Sequence, residues 1–229
     1  MYNLVLVTSA INTSTNPLSY TNTRSAFTHE ERFKQSLITI ESIKQYIPNP
    51  YIVFIEGTII NDEYKNTIIN SVNYLHKAYE DPSVLVEVNG LYKGYAENKK
   101  ILSYLNSDNF ITNKHLFTSL TKISGRYYIN NNFTFNIYDN SVTGNIRFDN
   151  NAHHSGIWMS TLFYSFHSKL IDKYVNVVNS ADSDNEFKDG VALEHIFPKY
   201  ILLNSINIHN TPILNVEGCY GPWGSFIKH

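Results

Sequence analysis

Three times in succession a short apolar run is followed by a segment of helical periodicity, and this alternation restricts the fold more than any other feature of the chain. Leu4–Val7 is a continuous apolar run of the kind found in a strand buried on both faces. Behind it, Thr28-His29-Glu30-Glu31 has the spacing of a capping box, and Phe33, Leu37, Ile40, Ile43 and Ile47 mark one face of a helix that Pro48 ends. Tyr51–Ile55 reads as the second strand. Tyr64, Ile68, Val72, Leu75 and Tyr79 then read as the face of a second helix, and Val84–Val88 as the third strand, with a third helix from about Tyr95 to Leu105. Consecutive strand–helix units predict an α/β fold with a parallel sheet, in which ligands collect beyond the carboxyl ends of the strands.

The fourth strand is expected within KHLFTSLTKISGRYYI, residues 114–129. An apolar run there ends in Lys122, Ser124, Gly125, Arg126 and Tyr127, which cannot all be buried without polar partners. Two cations beside a glycine suit a phosphate or another anion; the alternative is ordinary pairing with surface carboxylates. The turn Asn89-Gly90-Leu91-Tyr92-Lys93-Gly94, ahead of the third helix, offers a second anion site on the same sheet edge, although it is no Walker A sequence. Arg32 falls in the first turn of its helix, where the dipole disfavours a cation unless an anion or a neighbouring Glu pairs with it. Glu56 ends the second strand, as a nucleoside ligand or as a solvated turn residue. The long polar loop INTSTNPLSYTNTRSAF carries Arg24 as its one cation.

After Tyr128 the rhythm changes. Phe133–Ile137, Val142–Phe148 and Ile157–Phe166 read as strands between Asn- and Gly-rich turns, a mixed or antiparallel extension of the sheet. FDNNAHHSG contains Asp149, His153 and His154; adjacent histidines point apart on a strand, so an acceptor-facing loop is the better reading than a metal pair. Residues 180–186 read as an acidic loop, Asp189-Gly190 leads into a helix carrying Glu194 and His195, and Ile213–Val216 is a last strand before a glycine-rich tail holding Trp223.

Composition narrows the function classes. A formal net charge of −2 on 229 residues gives no footprint for nucleic acid. Cys219 is the sole cysteine, which excludes an internal disulfide and a thiolate zinc site. The start MYNLVLVTSAINTS has no basic leader and is too short to span a bilayer, so a soluble cytosolic protein without a transmembrane segment is expected. Seventeen Tyr and thirteen Phe, with abundant Asn, suit a sugar site, because ring faces cover pyranose C–H groups and amides bond hydroxyls. An AT-rich genome produces the same bias.

VLVTSAIN, TRSAFTHEERF, IEGT, LYKGYAEN and TKISGRY lie between residues 5 and 127, within a likeness that covers nearly the whole chain. They resemble the small GT-A-type glycosyltransferases encoded by large algal DNA viruses and by some bacterial surface-polysaccharide clusters. The resemblance implies a single Rossmann-like domain over residues 1–229, with about 1–128 as donor half and about 129–229 as acceptor half, and a host-cytoplasmic location if the source is viral. It implies transfer of a sugar from a UDP- or GDP-sugar to a glycan or glycoprotein hydroxyl. On matching positions, Thr8, Ser9 and Glu56 would hold the nucleoside, Arg24, Arg32, Lys93 and Gly94 would follow the phosphates, and Lys122, Gly125, Arg126 and Tyr127 would frame the donor sugar. Such enzymes usually hold Mn²⁺ or Mg²⁺ with Asp-x-Asp after the fourth strand. Here that place reads Lys-Ile-Ser-Gly-Arg, so either protein cations replace the metal or another carboxylate holds it; Asp182-Ser183-Asp184 has the letters but not the location.

An inverting transferase needs a carboxylate to take the acceptor proton. Asp149, Asp182 and Glu186 fall in polar segments, leaving Glu194, preferred for its apolar helix, and Asp189. The alternative for Glu194 is a structural acceptor paired with His195 or Lys199. A carbohydrate-binding module would use the same aromatics without a phosphate cradle. A sugar nucleotidyltransferase should carry a glycine-rich loop straight after the first strand, which INTSTNPLS lacks.

Overall fold

The computed structural model describes residues 1–148 and 156–229, so Asp149, His153 and His154 lie outside the described residues. In chain order the first elements are β1 (Tyr2–Ser9), α1 (His29–Tyr46), β2 (Pro50–Glu56), α2 (Asp62–Ile69), β3 (Tyr74–Lys77), α3 (Pro82–Val88), α4 (Lys93–Leu105), α5 (Asp108–Asn113) and β4 (Phe117–Ser124). They are followed by β5 (Tyr127–Ile129), β6 (Ser141–Phe148), β7 (Ile157–His167), α6 (Ile171–Ser183), α7 (Asn185–Lys188), α8 (Leu193–Leu203), β8 (Asn207–Asn210), β9 (Val216–Cys219) and β10 (Phe226–Lys228).

The main sheet has the order β3-β2-β1-β4-β7-β6-β8. Its first four strands are parallel, the arrangement of a Rossmann-like half; β7 runs antiparallel to β4 and to β6, and β8 is parallel to β6. Register places Thr8 opposite Ile55 on one side and Ser124 on the other, so these strands end on one edge. A second, antiparallel sheet β10-β9-β5 joins Tyr127–Ile129 to the last two strands of the chain.

The central strand β1 explains the two-sided core. Leu4 and Leu6 face a layer that includes Ile101 of α4, Val177 of α6 and Ile196 of α8, while Val5 and Val7 face Ile40 and Ile43 of α1 and Ile68 of α2. All four β1 side chains are fully buried. Each contributes about 1.5–3 kcal/mol, which fixes a continuous apolar run in the middle of the sheet. The α1 capping box forms as its spacing predicts: Glu31 N–H donates to Thr28 Oγ1 at 3.2 Å and Thr28 N–H to Glu31 Oε2 at 2.8 Å.

Four sequence expectations are corrected. Val84–Val88 is not a strand but most of α3, because Asp81 caps the Ser83 N–H and Pro82 fits the first helical position. The third strand is instead Tyr74–Lys77, since α2 ends at Ile69. Phe133–Ile137 forms no strand, although Phe133 packs edge-on against Phe163. Residues 180–186 are largely helical: α6 runs to Ser183, and Asp184 then caps α7 through the Glu186 and Phe187 N–H groups. The last expected strand is shifted, with β9 beginning at Val216. No helix among the described residues is long and apolar enough to cross a membrane.

Candidate functional site

The chain winds outward from β1 through β2 to β3, then returns to place β4 on the other side of β1. Ligands bind at such switch points, outside the carboxyl ends of the strands. Here Thr8 and Ser9 close β1, Ser124 closes β4, and the first turn of α4 supplies a wall. The cavity between them has a volume of ≈ 360 Å³, within the range of small-molecule sites.

Its floor is a saturated ionic cluster. Lys93, Glu97 and Lys100 share one face of α4 by their spacing. Glu97 Oε1 accepts from Lys122 Nζ at 2.6 Å, from Thr8 Oγ1 at 2.6 Å and from Ser124 Oγ at 3.2 Å. Lys122 Nζ also donates to Ser124 Oγ and to the Thr161 carbonyl, and Lys100 Nζ to the Ser9 carbonyl. Burial alone would raise the Glu97 carboxyl, but Lys122 and Lys100 outweigh it and hold the group at about 2. Burial brings Lys100 down to about 8 against the opposing pull of Glu97 and Glu56.

Nearer the cavity space the balance differs. Arg32, Lys93 and Arg126 all line it, and none forms an ion pair among the described residues. Arg32 is 5% exposed; its Nε donates to the Ala10 carbonyl at 2.7 Å and its Nη1 to Ser25 Oγ at 3.3 Å. Burial, then Arg126, bring its pKa to about 9, with Glu56 pulling the other way. Lys93 opens α4, whose preceding Tyr92 supplies no side-chain cap, so a cation stands where the helix dipole disfavours it. Desolvation first, and then Arg126 and Arg32, push Lys93 well below the usual lysine range, with Glu97 and Glu194 compensating in part. Among the described residues, Arg126 Nε is buried without a hydrogen-bond partner. Arg24, Arg32, Lys93, Lys100 and Arg126 thus face only Glu97 and Glu194 on a chain of net charge −2, so the positive potential is local to this cavity.

The opposite wall carries Glu194, in the first turn of α8, where a carboxylate suits the dipole. Thr161 Oγ1 donates to its Oε1 at 2.9 Å, so its partner is β7 and neither His195 nor Lys199; Lys199 pairs instead with Asp184 at 2.7 Å. The two walls meet closely at Gly94, where a Cβ would lie 3.1 Å from Leu193 Cβ and 3.2 Å from Leu193 N. Gly190, at φ +102°, faces the Tyr92 ring at a distance that leaves no room for a side chain. Over the mouth, Tyr220 stacks on Trp223 at 5.1 Å and 22°, and Tyr20 lies 5.9 Å from the Trp223 ring. This strap is tied to the loop after β1 by the Ala26 N–H donating to the Gly221 carbonyl at 2.9 Å. Tyr20 is pushed up to about 12, first by burial and then by Tyr220 and Glu194.

Of the residues singled out from sequence, the fold brings Thr8, Ser9, Arg24, Arg32, Lys93, Gly94, Arg126, Tyr127 and Glu194 to this cavity. Arg24 is held by backbone, donating to the carbonyls of Asn16, Pro17, Val88, Asn89 and Gly90. Four residues lie off the cavity wall. Glu56 is fully buried, with Oε1 accepting from Ile11 N–H, Thr58 N–H and Thr58 Oγ1, so it ties two loops together. Lys122 is the buried partner of Glu97, one layer beneath the space. Gly125 permits close approach of chains, its N–H donating to the Thr8 carbonyl and its carbonyl accepting from Ser36 Oγ. Asp189 is exposed at the end of α7. Sequence reasoning does not reach Glu97, Lys100, Thr161 or Tyr20; the available signal is the i, i+4, i+7 spacing of Lys93, Glu97 and Lys100 on a helix that starts two residues earlier than its apolar pattern suggests.

A divalent metal of the Asp-x-Asp kind does not fit this donor set. Among the described residues no three His, Cys, Asp or Glu side chains are grouped to hold an ion. Of the two carboxylates on the cavity, Glu97 already accepts from three donors. Asp182 and Asp184 pair with Lys99 and Lys199.

No protein-family model matches the chain, and no curated protein sequence matches it. Among solved structures, the glycosyltransferase GlyE of Streptococcus pneumoniae TIGR4 matches with a TM-score of 0.49 at 8% sequence identity, over 92% of this chain and 45% of that one. The chain spans under half the length of that structure, and a likeness of this degree assigns neither activity nor ligand.

Proposed function

We propose that this chain is a nucleotide-sugar-dependent, inverting glycosyltransferase of the GT-A type that moves a sugar from a UDP- or GDP-sugar to a hydroxyl of a glycan or glycoprotein. The observation that supports this reading is the opposition, across one ligand-sized cavity at the strand-order switch point, of Arg32, Lys93 and Arg126, which form no ion pair among the described residues, and Glu194, whose carboxylate accepts from Thr161. The donor's nucleoside would rest against Thr8 and Ser9 at the end of β1, and its diphosphate against Arg32, Lys93 and Arg126. Tyr20, Tyr220 and Trp223 offer ring faces for sugar C–H groups at the mouth.

In the reaction the acceptor oxygen forms a bond to the donor's anomeric carbon. The bond from that carbon to the phosphate oxygen breaks, and its electron pair leaves on the nucleoside diphosphate. The acceptor proton passes to Glu194, whose Oε1 is oriented by Thr161, leaving Oε2 to receive it. The test is incubation with a panel of UDP- and GDP-sugars and oligosaccharide acceptors, reading glycosylated product by mass. Glu194→Gln is expected to lower kcat by about 10²–10⁴-fold while nucleotide affinity and melting temperature stay near the parent's. Turnover within a few-fold of the parent removes Glu194 from the chemistry.

A further inference from the structure

We infer that Lys93 and Arg126 neutralise the departing diphosphate in place of a divalent metal ion, an inference that rests on the donor reading above. Three observations carry it. Where the motif would place carboxylates for a metal, the end of β4 and the turn behind it present Lys122 and Arg126 instead; of the two cavity carboxylates, Glu97 is bound by Lys122, Thr8 and Ser124, and Glu194 Oε1 accepts from Thr161. Among the described residues Arg126 has a buried Nε without a hydrogen-bond partner, and Lys93 has no ion-paired carboxylate. The ground for both is a place: a Cβ on Gly221 would lie 3.3 Å from Lys93 Nζ and 3.4 Å from Arg126 Cζ, so the two cations converge on one point beneath the strap.

Like charges held together in a desolvated site are unfavourable unless something negative joins them; burial first, and then the repulsion of Arg126, hold Lys93 below the usual lysine range. A diphosphate supplies that charge. As the anomeric carbon–oxygen bond breaks, negative charge grows on the phosphate oxygen that keeps the electron pair, and fixed cations stabilise it without reorganising. The uncapped first turn of α4 adds N–H donors on the same side.

The experiment is calorimetry of the full chain with UDP, GDP, CDP and ADP, once in EDTA and once in Mn²⁺ or Mg²⁺. Affinity for one of these nucleotides agreeing within about threefold in chelator and in metal is the expected result. In chelator, Lys93→Met and Arg126→Gln each weaken it about tenfold or more, since each removes a charge-assisted contact. Binding that appears only with metal overturns the inference and leaves the donor reading standing. So does binding in chelator that neither variant weakens. No binding of any nucleoside diphosphate in either buffer overturns the donor reading itself.

Discussion

The floor of the cavity and its mouth are built from the same residue types and treat them in opposite ways. On the floor, Lys122 is locked to Glu97, Ser124 and the Thr161 carbonyl, and Lys100, in the field of Glu97, donates to the Ser9 carbonyl. At the mouth, Lys93 and Arg126 sit beside each other and beside Arg32 with no ion-paired carboxylate among the described residues. A buried charge that the protein neutralises holds the structure together. A charge left for something else to neutralise costs stability and is kept for a ligand.

The largest effect that sharpens this contrast is on stability. Lys122→Met strands the Glu97 carboxylate and is expected to cost about 3–5 kcal/mol, or roughly 6–20 °C in melting temperature. Arg126→Gln, which relieves repulsion and strands no carboxylate, losing only the contact with the Tyr127 ring, should leave the unliganded melting temperature unchanged or higher. Equal losses for the two variants would erase the distinction between floor and mouth.

How much of this was legible in the sequence depended on whether the information was local. The apolar runs of β1 and β2, the capping box of α1 and the cation–glycine pattern after β4 announce themselves within a few residues. The exchange of β3 and α3 was misleading because Tyr74–Lys77 is a half-buried edge strand with no apolar run, while Val84–Val88 is apolar enough to pass for a strand. The Asp81-Pro82 start signal was present and outweighs that apolar run. Glu56 and Lys122 were rightly seen as polar residues at strand ends, but their roles are set by Ile11 and by Thr161, which are distant in sequence. Glu97 was invisible for the same reason: its three donors come from β1 and β4.

A smaller effect separates the two regions by pH. Lys93 is held below the usual lysine range in the unliganded protein, so over the interval between its lowered value and 10.5 the unfolded chain binds more protons, and this group's contribution makes stability rise with pH. Under the proposed reading, a diphosphate bound at the mouth is expected to restore the ammonium. Nucleotide binding in alkaline buffer should therefore take up a proton at the mouth, and affinity should fall as pH rises. Calorimetry in two buffers of different ionisation heat measures the uptake. Lys100 at about 8 is lowered as well, but it is already bonded to the Ser9 carbonyl in the unliganded chain, so Lys93→Met is expected to remove most of the uptake. Uptake that persists in this variant would place the titrating group on the floor.

The most direct measurement is a crystal structure of the chain with the nucleoside diphosphate that calorimetry selects. The account predicts the nucleoside against Thr8 and Ser9 and phosphate oxygens about 3 Å from Lys93 Nζ and the Arg126 guanidinium, with the Lys122–Glu97 pair unmoved. A diphosphate bound away from Lys93 and Arg126, or one that breaks the Lys122–Glu97 pair to reach Lys122, would contradict it.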